Sequence, residues 1–96
     1  TDAARARTEA LRRRTAARVT RLFYRLKNDL RLVELYRGTL VPQALSLLAT
    51  SETGARNRVK SGADHLEALA ALYHLRLSLA RAESNYRQVL AELEAL

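Results

Sequence analysis

An all-α fold is expected: a long antiparallel helical hairpin of coiled-coil type, assembling into a helical bundle. Three observations predict it. Apolar residues recur every three or four positions along most of the 96-residue chain, with no strand-like alternation. The composition is 48% hydrophobic but only 5% aromatic, and alanine, leucine and arginine, all good helix formers, dominate it. One short run, Lys60-Ser61-Gly62-Ala63-Asp64, interrupts the pattern.

The first helix is expected from about residue 3 to residue 60, with Asp2 as its N-cap. Its seam runs through Val19, Phe23, Leu26, Leu30, Val33, Leu40, Ala44 and Leu47, and only Arg37 breaks the alternation. A second stripe follows Leu22, Leu32, Leu35, Leu45 and Leu48. A helix with two apolar stripes is expected to have neighbours on two sides.

Gly38 and Pro42 lie inside this helix, and Pro42 is the only proline of the chain. In a helix interior, glycine costs about 1 kcal/mol and proline about 3 relative to alanine. Retaining both points to a bend or a close approach at this place. The alternative is a full break between two shorter helices.

The turn is placed at about residues 61–63. Gly62 suits the left-handed conformation that ends a helix, Asp64 suits the N-cap of the next, and Glu67 stands where a capping box needs it. A rival boundary at Thr50–Gly54 fits less well, because Ala55 and Val59 continue the old phase. The second helix is expected over about 64–96. Leu72, Leu75, Leu79, Ala82, Tyr86, Val89, Leu93 and Leu96 alternate three and four residues without a miss. Glu83 precedes Arg87 by four residues, the favourable order for a surface ion pair. At 1.5 Å per residue the helices would reach about 85 Å and about 50 Å, so the first overhangs the second.

The formal charge is +7 and it is unevenly placed. Residues 1–37 carry eleven Arg/Lys against four Asp/Glu, residues 38–63 sum to +2, and residues 64–96 sum to −2. A basic end of this kind suits nucleic acid or an anionic membrane surface, or else a helical partner that is less basic. Arg14, Arg18, Arg21 and Arg25 recur at helical spacing and are the candidate phosphate contacts of a basic module that binds nucleic acid as a dimer.

Nothing in the chain points to an enzyme. No cysteine is present, which removes disulfides and thiolate metal sites. His65 and His74 stand nine residues apart on different helical faces, without the spacing of metal ligands. The Asp64-His65 pair reads as capping and surface residues. Ser46, Ser51 and Ser78 have no histidine in register, and no glycine-rich phosphate loop occurs. No catalytic, metal or cofactor residue is therefore assigned. No apolar run approaches the ~18 residues of a membrane span.

The run Leu35 to Leu48, LYRGTLVPQALSLL, resembles a signature of the TolC-like outer-membrane efflux proteins: a tyrosine, then Leu-hydrophobic-Pro-Gln-Ala on a long periplasmic helix. The likeness extends from about Arg13 to Leu96. RRRTAARVTRLFYRLKNDLRLVEL resembles the inbound coil of the family's second periplasmic hairpin. Gly62 and LEAL (Leu66 to Leu69) resemble its tip, and SNYRQVLAELEAL resembles its outbound ending. Two departures fall at the tip: Val59 stands where the family usually has tyrosine, and the interval from Gly62 to LEAL is shorter.

The resemblance implies a fragment of a larger channel protein, from the periplasmic portion of a bacterial outer-membrane protein. Three protomers would build a tunnel from such hairpins, and membrane contact would be made only by parts absent from this chain. Its tip would dock a periplasmic adaptor that leads to an inner-membrane pump, through Val59, Ser61, Gly62, Ala63, Asp64, Leu66 and Glu67. Gly38 and Pro42 would bend the wall. Nucleic acid is not a partner on this reading, and no cofactor is implied.

Overall fold

The computed structural model describes residues 1–56 and 62–96. Helix α1 spans Asp2–Leu35, a π-helical segment spans Tyr36–Leu40, α2 spans Val41–Arg56 and α3 spans Gly62–Glu94. No strand occurs among the described residues. The molecule is a rod of 82 × 18 × 15 Å. Arg37 meets Glu83 while Ser51 meets His65, so α3 runs back along the first arm.

The start of α1 differs from expectation by one residue. Thr1, not Asp2, is the N-cap, because its Oγ1 accepts the Ala4 N–H at 3.2 Å. Asp2 lies in the first turn, where a carboxylate faces the positive end of the helix dipole. The rival boundary at Thr50–Gly54 is absent, since α2 continues through it to Arg56. At the far side, α3 already begins at Gly62. Gly62 does not have a positive φ and opens a helix instead of ending one. Asp64 consequently sits inside the first turn of α3 and not at the N-cap position expected of it.

The π segment explains the one irregularity of the first arm. Pro42 has no N–H, and in a regular helix its ring would collide with the carbonyl of Gly38, four residues back. A wider turn just before it relieves the conflict. The Val41 N–H bonds to the Tyr36 carbonyl, five residues back, and the Tyr36 N–H is shared by the carbonyls of Leu32 and Val33. The helix is therefore neither broken nor left regular at Pro42. Gly38 is not there for close packing, because a Cβ on it would meet nothing within 4 Å.

The extra residue of the wide turn moves the seam. On the first arm the buried and half-buried line is Leu22, Leu26, Asp29, Val33, Tyr36, Leu40, Ala44, Leu48 and Ser51. Its steps alternate four and three as far as Leu40, but three consecutive fours follow Tyr36. On α3 the line His65, Ala68, Leu72, Leu75, Leu79, Ala82, Tyr86, Val89 and Leu93 keeps strict alternation. The expected α3 seam is thus found, except that Leu96 is 51% exposed. The expected first-arm seam is found only in part. Val33 and Ala44 are buried and Leu26 and Leu40 half-buried, but Val19, Phe23, Leu30 and Leu47 are exposed. Of the second stripe, Leu22 is buried, Leu32 and Leu48 are half-buried, and Leu35 and Leu45 are exposed. The seam contains Asp29 where an apolar residue was expected, and this displaces Leu30 to a flank.

Residues 1–21 of α1 are all exposed. The antiparallel register brings Leu22 level with the end of α3, so about 30 Å of helix projects beyond it.

Candidate interaction surfaces

Two side faces follow from the seam. Residues that immediately precede seam positions share one flank: Arg21, Arg25, Leu32, Leu35, Gln43 and Leu47 on the first arm, with Asp64, Glu67 and Ala71 on α3. Residues that immediately follow seam positions share the other: Phe23, Leu30, Arg37 and Leu45, with Leu66, Leu69 and Tyr73. The grooves agree with this division. Leu40, Gln43, Ala44 and Leu47 line one of about 450 Å³ with Asp64, Glu67, Ala68, Ala71 and Leu75. Leu30, Val33 and Arg37 line another, of about 260 Å³, with Glu83, Tyr86 and Arg87.

The second face is apolar at both ends. Phe23 is 49% exposed near the arm, and Leu66 and Tyr73 are 66% and 65% exposed near the start of α3. Lys27 Nζ lies 5.0 Å from the centre of the Phe23 ring, and Tyr24 stands edge-on to the same ring. Mid-face, Arg37 Nη2 donates to Glu83 Oε1. Glu83 is therefore engaged by the first arm and not by Arg87 as the i,i+4 spacing suggested.

The arginine arm occupies the first face. Arg14, Arg18, Arg21 and Arg25 are all exposed. Arg14 and Arg21 are seven residues apart, as are Arg18 and Arg25, so the four form one stripe. The ion pairs of the arm involve Glu9, which lies 4.0 Å from Arg12 and 3.5 Å from Arg13.

At the expected tip, Val59 and Ser61 lie outside the described residues. Gly62, Ala63, Asp64, Leu66 and Glu67 form the exposed first turns of α3. Beside them is a contact that sequence spacing did not reveal. Ser51, only 4% exposed, places its Oγ 3.3 Å from His65 Nδ1. The expectation that no serine has a histidine in register is corrected here, because the register is tertiary. The same Oγ donates its hydrogen to the Leu48 carbonyl at 2.9 Å. Ser51 thus contacts both its own helix at Leu48 and His65 of α3. The pair pins α2 to α3.

Among the described residues no group of three or more His, Cys, Asp or Glu is placed to hold a metal ion, and no helix is long and apolar enough to cross a membrane. No family model, no curated protein and no solved structure matches this chain.

Proposed function

We propose that this chain is a structural hairpin of coiled-coil type from the periplasmic part of an outer-membrane efflux channel. It would pack side by side with like hairpins as tunnel wall and dock an adaptor at its tip. The observation that carries this reading is the uncovered apolar face bearing Phe23, Leu30, Leu45, Leu66, Leu69 and Tyr73. One seam is already satisfied by the chain's own helices, so a second apolar line is surplus unless neighbours cover it. The rod shape, the projecting arm and the widened turn before Pro42 also fit a curved wall, and the TYR-to-PQA run, here Tyr36 to Ala44, supplies the sequence resemblance. The work done is conduit structure and docking, with no chemistry.

Lateral packing expects the 96-residue chain to self-associate in light scattering at both about 50 mM and about 500 mM salt, since apolar contacts are little screened. Phe23→Glu and Tyr73→Glu should each weaken that association. Tip docking expects Gly62→Pro to lower capture by a purified periplasmic adaptor while circular dichroism is retained, because proline is tolerated at the first position of a helix. Equal loss of docking and helicity would remove the tip assignment. A second reading rests on the exposed stripe of Arg14, Arg18, Arg21 and Arg25. Saturable binding of a DNA duplex that collapses between those salt concentrations would make the stripe a phosphate site and replace the channel reading.

A further inference from the structure

The arginine stripe and the groove of Gln43, Leu47 and Glu67 lie on the same face but at opposite ends of the rod. Arg14 is on the projecting arm, and Glu67 stands about level with residue 50, because Ser51 meets His65. Midway between these levels, at residue 32, the same face carries Leu32, half-buried, and Leu35, 43% exposed. Arginines at one end, Leu32 and Leu35 on the first arm at the centre, with the exposed Arg81 and Asn85 beside them on α3, and an acid-rimmed groove at the other make the face complementary to its own copy turned end for end. That is the condition for an isologous contact, in which residue i meets j and j meets i.

We propose that the chain pairs with a second copy of itself, antiparallel, about a two-fold axis near Leu32 and Leu35. The arginine arm of each copy then lies in the groove between α2 and α3 of the other. Arg14 reaches Glu67 about 27 Å from the axis on either side. The aliphatic stem of Arg18 covers the groove floor of Ala44, Leu47, Ala68 and Ala71, where small side chains let a helix come close. The charges are opposite where the two would meet: Arg14 and Arg18 on the arm, Asp64 and Glu67 on the groove. The occupant is therefore a helix rich in arginine, which the chain itself supplies. This pairing uses the face opposite to Phe23 and Tyr73 and does not rest on the efflux reading.

Sedimentation equilibrium of the full chain tests it. Glu67→Arg and Arg14→Glu, alone, should each raise the dimer Kd by about tenfold, since each contact occurs twice in a symmetric pair. Combined, they should bring it back to within about threefold of the parent, and all three chains are compared in a Phe23→Glu background, which removes association through the opposite face and leaves this antiparallel pair. Because the chain has no cysteine, Leu35→Cys gives a second, independent reading: it should oxidise to a disulfide-linked dimer, and Leu30→Cys on the other face should not. The proposal is overturned if the single reversals leave Kd unchanged, if the double variant is no better than either single one, or if Leu30→Cys cross-links in preference to Leu35→Cys.

Discussion

Arg37 and Glu83, 46 positions apart in the chain, are joined across the two arms by a 2.5 Å contact between Nη2 and Oε1. Arg37 belongs to the π segment and is the residue that breaks the apolar alternation of the first arm. Its side chain is 64% exposed and that of Glu83 is 29% exposed, so the pair is open to solvent. Glu83→Gln should lower stability by less than about 1 kcal/mol, with the difference shrinking at high salt. Thermal unfolding of both chains at low and high salt checks this, and a larger loss would mean that the pair holds the wide turn in place.

The widened turn makes a sharper prediction. Deleting Thr39 removes one residue from the π segment, and the half-buried Val41 then enters the seam in place of Leu40. Ala44, Leu48 and Ser51 keep their phase, and the first arm acquires a strict four–three repeat. The shortened chain should keep this seam but lose about 3 kcal/mol, because Pro42 then sits in a regular turn where its ring meets the carbonyl four residues back. Deleting Arg76 from the regular repeat of α3 should instead expel Leu79, Ala82 and Val89 from the seam. Denaturant titrations of the two deletions compare the outcomes directly.

Gly38 tests whether its backbone freedom is used. A Cβ there has open space and no positive φ to oppose it, so Gly38→Ala should stabilise the chain by about 0.5–1 kcal/mol. A destabilised variant in urea unfolding would show that the π turn draws on glycine's flexibility.

Asp29 interrupts the seam with a carboxylate whose Oδ2 is buried and accepts no hydrogen bond. Burying a polar atom without a partner costs about 1–3 kcal/mol. Asp29→Leu should therefore raise stability by about 1 kcal/mol or more, seen as a higher urea midpoint at unchanged slope. A drop would assign the carboxylate a role in setting helix register.

Val89 is fully buried. Val89→Ala should cost about 2 kcal/mol through lost apolar burial and the cavity left behind. Leu96→Ala, at the exposed end, should stay within about 0.5 kcal/mol. Similar losses at both positions would indicate that Leu96 is covered, as association near the end of α3 would do.

Much of this arrangement was legible from periodicity. Leu72, Leu75, Leu79, Ala82, Tyr86, Val89 and Leu93 form the α3 line because a helix with a strict three–four repeat presents one face, whatever it packs against. The unequal lengths of the arms and the basic projection followed from counting residues on either side of Gly62. The first-arm seam was harder to read, because Leu30 and Leu47 are as apolar as the residues that are buried. Only the partner helix and the extra residue at the π turn chose between neighbouring stripes. The Ser51–His65 contact left no trace in sequence spacing, since it joins residues on different helices.

Sequence alone therefore determined that the chain is helical, where its irregular point lies and where its charge is concentrated. Those properties come from local propensity, from the missing N–H of Pro42 and from composition. Tertiary structure alone decided which stripe is buried, that the irregularity is a wide turn and not a break, and that Glu83 serves Arg37. The buried stripe and the partner of Glu83 depend on the register between two helices. A shift of one residue rotates a helix by about 100° and exchanges its buried line for a flank, so side chains of equal hydrophobicity are sorted only when the arms meet.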